Sequence, residues 1–170
     1  MPKGEQVELP TPGTNQKKYL AGALDIRTGQ ITHCVWARKT GGLFLELLEA
    51  LDTLSPPRRF SRLSLVVDNA KGHHARAVTD WLVTHPRVEL LFLPASCPQA
   101  NPIERAFGDV HDKGTRNHKR KRLCDLVTDV QVHFLLNAPW RYHLADLYYT
   151  PEVTAARQSL ADVQAAPLAA

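Results

Sequence analysis

Asp68 ends a short apolar run, Leu63 to Val67, and Glu104 falls in the first turn of a helix that follows the next strand and loop. The run reads as a buried strand whose C-terminal end opens into Asp68-Asn69-Ala70-Lys71-Gly72, so the Asp68 carboxylate faces the loop side. A hard divalent cation such as Mg²⁺ takes oxygen ligands and keeps several waters, so a few carboxylates from separate elements are its usual protein share. Two such ions about 4 Å apart activate the attacking oxygen and stabilise the leaving one in phosphoryl transfer. Both residues also have ordinary structural uses. Glu104 fits a capping box with Asn101, and Asp68-Asn69 ahead of Gly72 fits a strand-ending turn.

A second constellation is electrostatic. Lys113, Arg116, Lys119, Arg120, Lys121 and Arg122 occupy ten residues that also hold His118 and no acid, which makes the stretch a candidate phosphate-binding segment. A solvated helix entrance gives the same pattern. A zinc site is not indicated, because eight scattered histidines and three widely spaced cysteines show no ligand spacing for a tetrahedron. Trp36, Trp81 and Trp140 lie within apolar patterns and read as core residues rather than base-stacking platforms.

The elements that must position these residues can be read from periodicity. Tyr19 to Arg27 and Gln30 to Arg38 are β-prone runs separated by Thr28-Gly29, the spacing of a tight hairpin. Apolar residues at Leu43, Phe44, Leu47, Leu48, Leu51 and Leu54 form a helical stripe that Pro56-Pro57 stops. A helix over His74 to Thr84 and a strand over Val88 to Leu93 then complete a β-α-β unit, which implies a parallel pair with its ligands beyond the carboxyl ends of the strands. Asn101-Pro102-Ile103-Glu104 starts a further helix, with Asn as cap and Pro in the first turn, and Leu123 to Leu136 forms another. Met1 to Lys18 reads as irregular, and 141–170 as a tail with one alanine-rich helix.

The 170 residues, 44% hydrophobic and 22% charged, suit one globular α/β domain over 19–140 and exclude disordered and collagen-like chains. No run of about 18 apolar residues is present, and Met1-Pro2-Lys3-Gly4-Glu5 lacks the apolar core of a signal peptide, so a cytoplasmic protein without a membrane partner is expected. The 21 basic against 17 acidic side chains, with a pI near 9.1, allow a polyanionic partner.

The segments Leu65-Val66-Val67-Asp68-Asn69-Ala70-Lys71-Gly72-His73-His74 and Cys97-Pro98-Gln99-Ala100-Asn101-Pro102-Ile103-Glu104 together resemble the catalytic core of DDE-superfamily endonucleases. More closely, they resemble the mariner-like transposases of bacterial insertion sequences. That family carries its second and third catalytic carboxylates in a "DN…H" and a "P…NPIE" motif, and here 35 residues lie between Asp68 and Glu104. The likeness extends through Pro12-Gly13-Thr14-Asn15, Gly22-Ala23-Leu24-Asp25 and Arg116-Asn117-His118.

The resemblance implies a ribonuclease H-like mixed sheet with flanking helices, and Mg²⁺ or Mn²⁺ held by Asp68 and Glu104 for DNA strand cleavage and transfer. It gives Asn69 and His73 auxiliary places beside the metals, and Lys71 and the 113–122 bases places on the DNA backbone. Insertion-sequence ends, target DNA and a further transposase copy are the implied partners.

The family's first catalytic aspartate lies on a strand before the hairpin, and its helix-turn-helix lies further upstream. The expectation is therefore a truncated or frame-split transposase, lacking its first strand and inactive alone. Asp25, beside the hairpin turn, and Asp112, two turns beyond Glu104, do not replace that aspartate. The rival reading is a non-catalytic module that binds DNA or pairs with intact transposase.

Overall fold

The structure, a computed structural model, describes residues 16–94, 101–116 and 118–140. Strands β1 (Tyr19–Asp25) and β2 (Gln30–Trp36) pair antiparallel in a register that sets Tyr19 opposite Trp36 and Asp25 opposite Gln30. The expected two-residue turn is a four-residue loop, 26–29, because Gly29 takes a left-handed φ of 70° and donates its N–H to the Asp25 carbonyl at 2.7 Å. Both strands stop two residues short of the sequence reading, β1 at this turn and β2 at its far end.

Helix α1 (Gly41–Leu54) buries Leu43, Phe44, Leu47 and Leu48, one face of the stripe that the sequence shows, and ends at Ser55 before the two prolines. The largely buried Arg87 locks that end in place. Its guanidinium donates to the Phe60 carbonyl at 3.0 Å, the Asp52 carbonyl at 2.9 Å and the Asp52 carboxylate at 2.5 Å.

The β-α-β unit is present. Strand β3 (Leu63–Val67) runs parallel to β4 (Val88–Phe92), and α2 (Arg76–Thr84) crosses between them. The first residue of the expected His74–Thr84 helix, His74, belongs instead to a separate 3₁₀ turn, Lys71–His74, and the extended Ala75 separates that turn from α2, which begins at Arg76. Helices α3 (Ile103–Val110) and α4 (Leu123–Leu136) follow, with a π-type turn, His111–Thr115, continuing α3.

Pleating gives the hairpin two working faces. Tyr19, Ala21, Ala23 and Cys34 join Leu43, Phe44, Leu47, Leu48, Leu65, Val67, Val78 and Val88 in one core. Leu20 and Ile31 face the other way, onto Ala106, Val110, Val130 and Phe134 of α3 and α4. Gly22 permits that second contact, because a β-carbon there would stand 3.2 Å from the Phe107 ring and 3.3 Å from the Ile103 methyl.

The strands implied as one mixed sheet form, among the described residues, two separate two-stranded ladders, one antiparallel and one parallel. Helix α1 lines the core that both ladders share. Trp36 is not a core residue: 36% exposed, it lies over Gly42 and donates its indole N–H to the Glu46 carboxylate. The irregular 1–18 segment is described only from residue 16, where it has no regular structure, and the tail reading over 141–170 lies outside the described residues.

Candidate active site

Asp68 follows the last residue of β3, at the carboxyl end of a parallel pair, where β-α-β geometry opens toward a ligand. Its carboxylate is half exposed. One oxygen, Oδ1, accepts the Ala70 N–H at 3.1 Å in an Asx-type turn and faces Nδ1 of His73, also at 3.1 Å. The same Nδ1 lies 2.9 Å from the Asp68 carbonyl oxygen. Both neighbours accept, so the ring carries its hydrogen on Nδ1 and leaves Nε2 unprotonated when neutral. The ring rests on Phe44 at 4.2 Å between centroids, which ties the loop to the first core. Asp68 Oδ2 has no partner among the described residues.

Asn69 braces the loop through its side-chain nitrogen. Its side-chain amide donates to the Leu93 carbonyl at 2.6 Å, and the Leu93 N–H donates to the Val67 carbonyl at 2.8 Å, so the ends of β3 and β4 are stitched together. His74 stacks on Phe92 at 4.5 Å. Lys71 opens the 3₁₀ turn, exposed and without an ion-pair partner among the described residues.

Glu104 occupies the first turn of α3, exposed, where a carboxylate complements the helix dipole. The capping box is not formed. Pro102 precedes the first helical residue, no side chain caps the helix, and the Glu104 N–H is satisfied by the Asn101 backbone carbonyl at 3.1 Å. The Glu104 carboxylate is thus left without a partner among the described residues.

Asp68 and Glu104 fit a hard divalent ion in donor type, offering oxygen atoms not engaged by a cation of the lysine or arginine kind. They do not complete a site by themselves. Among the described residues no group of three or more His, Cys, Asp or Glu side chains stands close enough to hold a metal. Asp25 is committed elsewhere: burial raises its pKa, but the Arg27 N–H, the Thr28 hydroxyl and the Arg27 guanidinium outweigh this and hold it below the usual value.

The basic stretch is largely self-neutralised. Lys113 pairs with Asp109 at 2.6 Å, Arg116 with Asp112 at 3.7 Å, Arg122 with Asp125 at 2.8 Å, and Arg120 grips Asp129 through two bonds of 2.5 and 2.8 Å. Lys119 and Lys121 keep exposed ammonium groups without an ion-pair partner among the described residues. The i,i+4 and i,i+3 acids lie at or just outside the ends of the run, so their pairing is readable from spacing. Asp129 is nine positions from Arg120, on α4, so the pair forms only once the chain ahead of α4 is folded against it.

The family signature matches along most of this framework: the profile of the DDE superfamily endonucleases covers residues 1–127. The chain belongs to that family. This DDE endonuclease chain is 35% identical over 133 residues to the insertion element IS630 uncharacterized 39 kDa protein of Shigella sonnei, a match covering 78% of this chain and 38% of that protein.

Among solved structures it is similar to the Mos1 transposase paired-end complex with left transposon end, with TM-score 0.60, 17% identity, and coverage of 82% of this chain and 43% of the other. It is equally similar to the Mos1 mariner paired end complex with Mn, with TM-score 0.60, 18% identity, and coverage of 82% and 44%. At such identities the likeness is one of fold. The DDE chain spans less than half the length of each of these relatives.

Proposed function

We propose that this chain is a catalytic portion of a DDE transposase of ribonuclease H-like fold, acting on DNA in the cytoplasm, with Asp68 and Glu104 as two of its metal-binding carboxylates. The observation that carries the reading is Asp68: a half-exposed carboxylate at the carboxyl end of a parallel strand, its loop braced by His73 and Asn69. Mg²⁺ or Mn²⁺ is the ion that an oxygen-only donor set suits, and bound ions of this kind supply Lewis-acid activation for strand cleavage and transfer.

The chain's own residues do the positioning. His73 and the Ala70 N–H fix one Asp68 oxygen and leave the other free for a ligand. Asn69 holds the ends of β3 and β4 together beneath it. Helix α3, seated on Gly22 through Ile103 and Phe107, carries Glu104 at its first turn. Lys71, Lys119 and Lys121 are the sequence-identified bases left unpaired for DNA phosphates, whereas Lys113, Arg116, Arg120 and Arg122 reach phosphate only by exchanging a carboxylate.

With two carboxylates the chain alone binds metal weakly and does not cut; the compact unit doing this work is 19–140. Mn²⁺ binding followed by electron paramagnetic resonance, with plasmid nicking in Mg²⁺ and Mn²⁺, tests the reading. Weak Mn²⁺ binding lost in Asp68→Asn and reduced in Glu104→Gln is expected, with no nicking by the wild type. Nicking that persists in both variants, or Mn²⁺ binding indifferent to them, overturns the assignment.

A further inference from the structure

With the 113–122 arginines and Lys113 committed to their own acids, that stretch keeps only Lys119 and Lys121 unpaired among the described residues, and another group of unpaired cations adjoins Asp68. The loop between β2 and α1 contains Arg38 and Lys39, both exposed, and neither has an ion-pair partner among the described residues. Its next residues press backbone to backbone on the loop that follows Asp68. A β-carbon on Gly41 would stand 2.4 Å from that of Ala75 and 3.3 Å from the Gly72 carbonyl oxygen. One on Gly72 would meet the Gly41 nitrogen at 3.8 Å and the Thr40 carbonyl carbon at 3.9 Å.

That contact joins Arg38-Lys39 to the short 3₁₀ turn that begins at Lys71 and carries His73, the residue bonded to Asp68. The loop is anchored at its other end as well. Trp36 is fixed over Gly42 and bonded to Glu46, so the two bases project from a segment pinned on both sides. No acid lies in the first turn of α1, and neither Arg38 nor Lys39 is paired with the Glu46 carboxylate, which accepts the Trp36 indole N–H.

We propose that Arg38 and Lys39, together with Lys71, form a phosphate-neutralising flank that carries the DNA backbone past Asp68. Arg38 and Lys39 are positioning residues: they touch the DNA backbone and act on the reaction only through where it lies. The inference rests on the DNA reading above and adds the path the substrate takes. It assigns the main electrostatic contact to a short loop of two bases rather than to the longest basic run, because charge already paired in the free protein releases little counterion on binding.

Fluorescence anisotropy of the full chain on a labelled duplex, repeated across a salt series, tests this. The Arg38→Ala/Lys39→Ala double variant is compared with Arg58→Ala/Arg59→Ala, which removes equal charge from the other end of the fold. There Phe60 lies beneath both Arg59 and the hairpin-turn residue Arg27, a whole seven-residue strand, roughly 20 Å, from the Trp36 end.

The expected result is a log–log salt slope shallower by about 2 in the first variant, since each lost phosphate contact removes about 0.9. The Arg58/Arg59 variant keeps the wild-type slope. Hydrogen exchange adds an independent readout: the duplex should protect residues 36–42 and 69–75 of the wild type. Wild-type binding with an unchanged slope in the Arg38/Lys39 variant overturns the flank and leaves the DNA reading standing. A wild-type chain that does not bind duplex at all overturns both.

Discussion

Nε2 of His133 on α4 lies 2.7 Å from a carboxylate oxygen of Asp109 on α3, and the other oxygen of Asp109 takes Lys113 at 2.6 Å. One carboxylate thereby fastens the π-turn to its own helix and α3 to α4, next to the second core. The Lys113 and His133 bonds hold the Asp109 carboxyl below the ordinary aspartate value, against a smaller opposing effect of burial. A depressed carboxyl contributes stability above its unfolded-state pKa and loses it as pH falls through the folded one.

Asp109→Asn should therefore cost about 1 kcal/mol at neutral pH. The gap between wild type and variant should be full above about pH 5 and close as the solution passes below the usual carboxylate range. Urea unfolding of both proteins from pH 7 to pH 2.5 measures it. A gap that persists at pH 2.5 would show that the carboxylate's charge is not what joins the helices.

Two glycines in helices have opposite reasons for being there. A side chain on Gly41 collides with Ala75, both on backbone segments that cannot retreat, so Gly41→Ala should destabilise by about 1–3 kcal/mol. Gly108, within α3, has nothing within 4 Å of where its β-carbon would lie, and Gly108→Ala should stabilise by about 0.5–1 kcal/mol through the unfolded chain. Thermal melts of the two variants should move in opposite directions. Equal shifts would mean that the Thr40–Gly72 contact yields freely, and with it the anchoring of the Arg38 loop.

Burial pushes the Cys34 thiol up to about 11, with the Glu46 carboxylate adding to it. At pH 8 its thiolate fraction is on the order of a hundredfold below that of an ordinary thiol. Cys124 is exposed at the start of α4. Iodoacetamide followed by peptide mass spectrometry should label Cys124 quickly and Cys34 only on unfolding. Comparable rates in the native protein would place Cys34 in a loosely packed first core.

What the sequence made readable was local or periodic. The bounds of α4 coincide with the Leu123–Leu136 stripe, and β3, with Asp68 just past it, follows from a five-residue run that is apolar but for Ser64 and from the polar loop after it. Pairings across the chain were not readable, because packing sets them. Arg87 reaches Asp52 over 35 positions, Asn69 reaches Leu93 over 24, and Gly41 meets Gly72 only once α1 is laid beside the 3₁₀ turn. The pairing of the basic stretch was hidden for a different reason. Its charge looked unopposed because the acids that pair with it sit at its ends and on α4, at Asp109, Asp112, Asp125 and Asp129.

That neutralisation can be reversed without touching a single base. Asp129 holds Arg120 by two hydrogen bonds, and the pairing raises the arginine's hold on its proton while occupying the planar fork that would otherwise meet a phosphate. Asp129→Asn removes the charge and keeps the size, leaving the guanidinium exposed. Combined with Asp125→Asn, which frees Arg122, it should convert residues 119–122 into the phosphate-binding segment that their sequence suggests. Duplex affinity at low salt should rise, and the log–log salt slope should steepen by up to about 2. The same anisotropy series measures both quantities. If the slope stays at the wild-type value, the freed Arg120 and Arg122 do not face the DNA, and these two arginines have no part in the interface even with their acids removed.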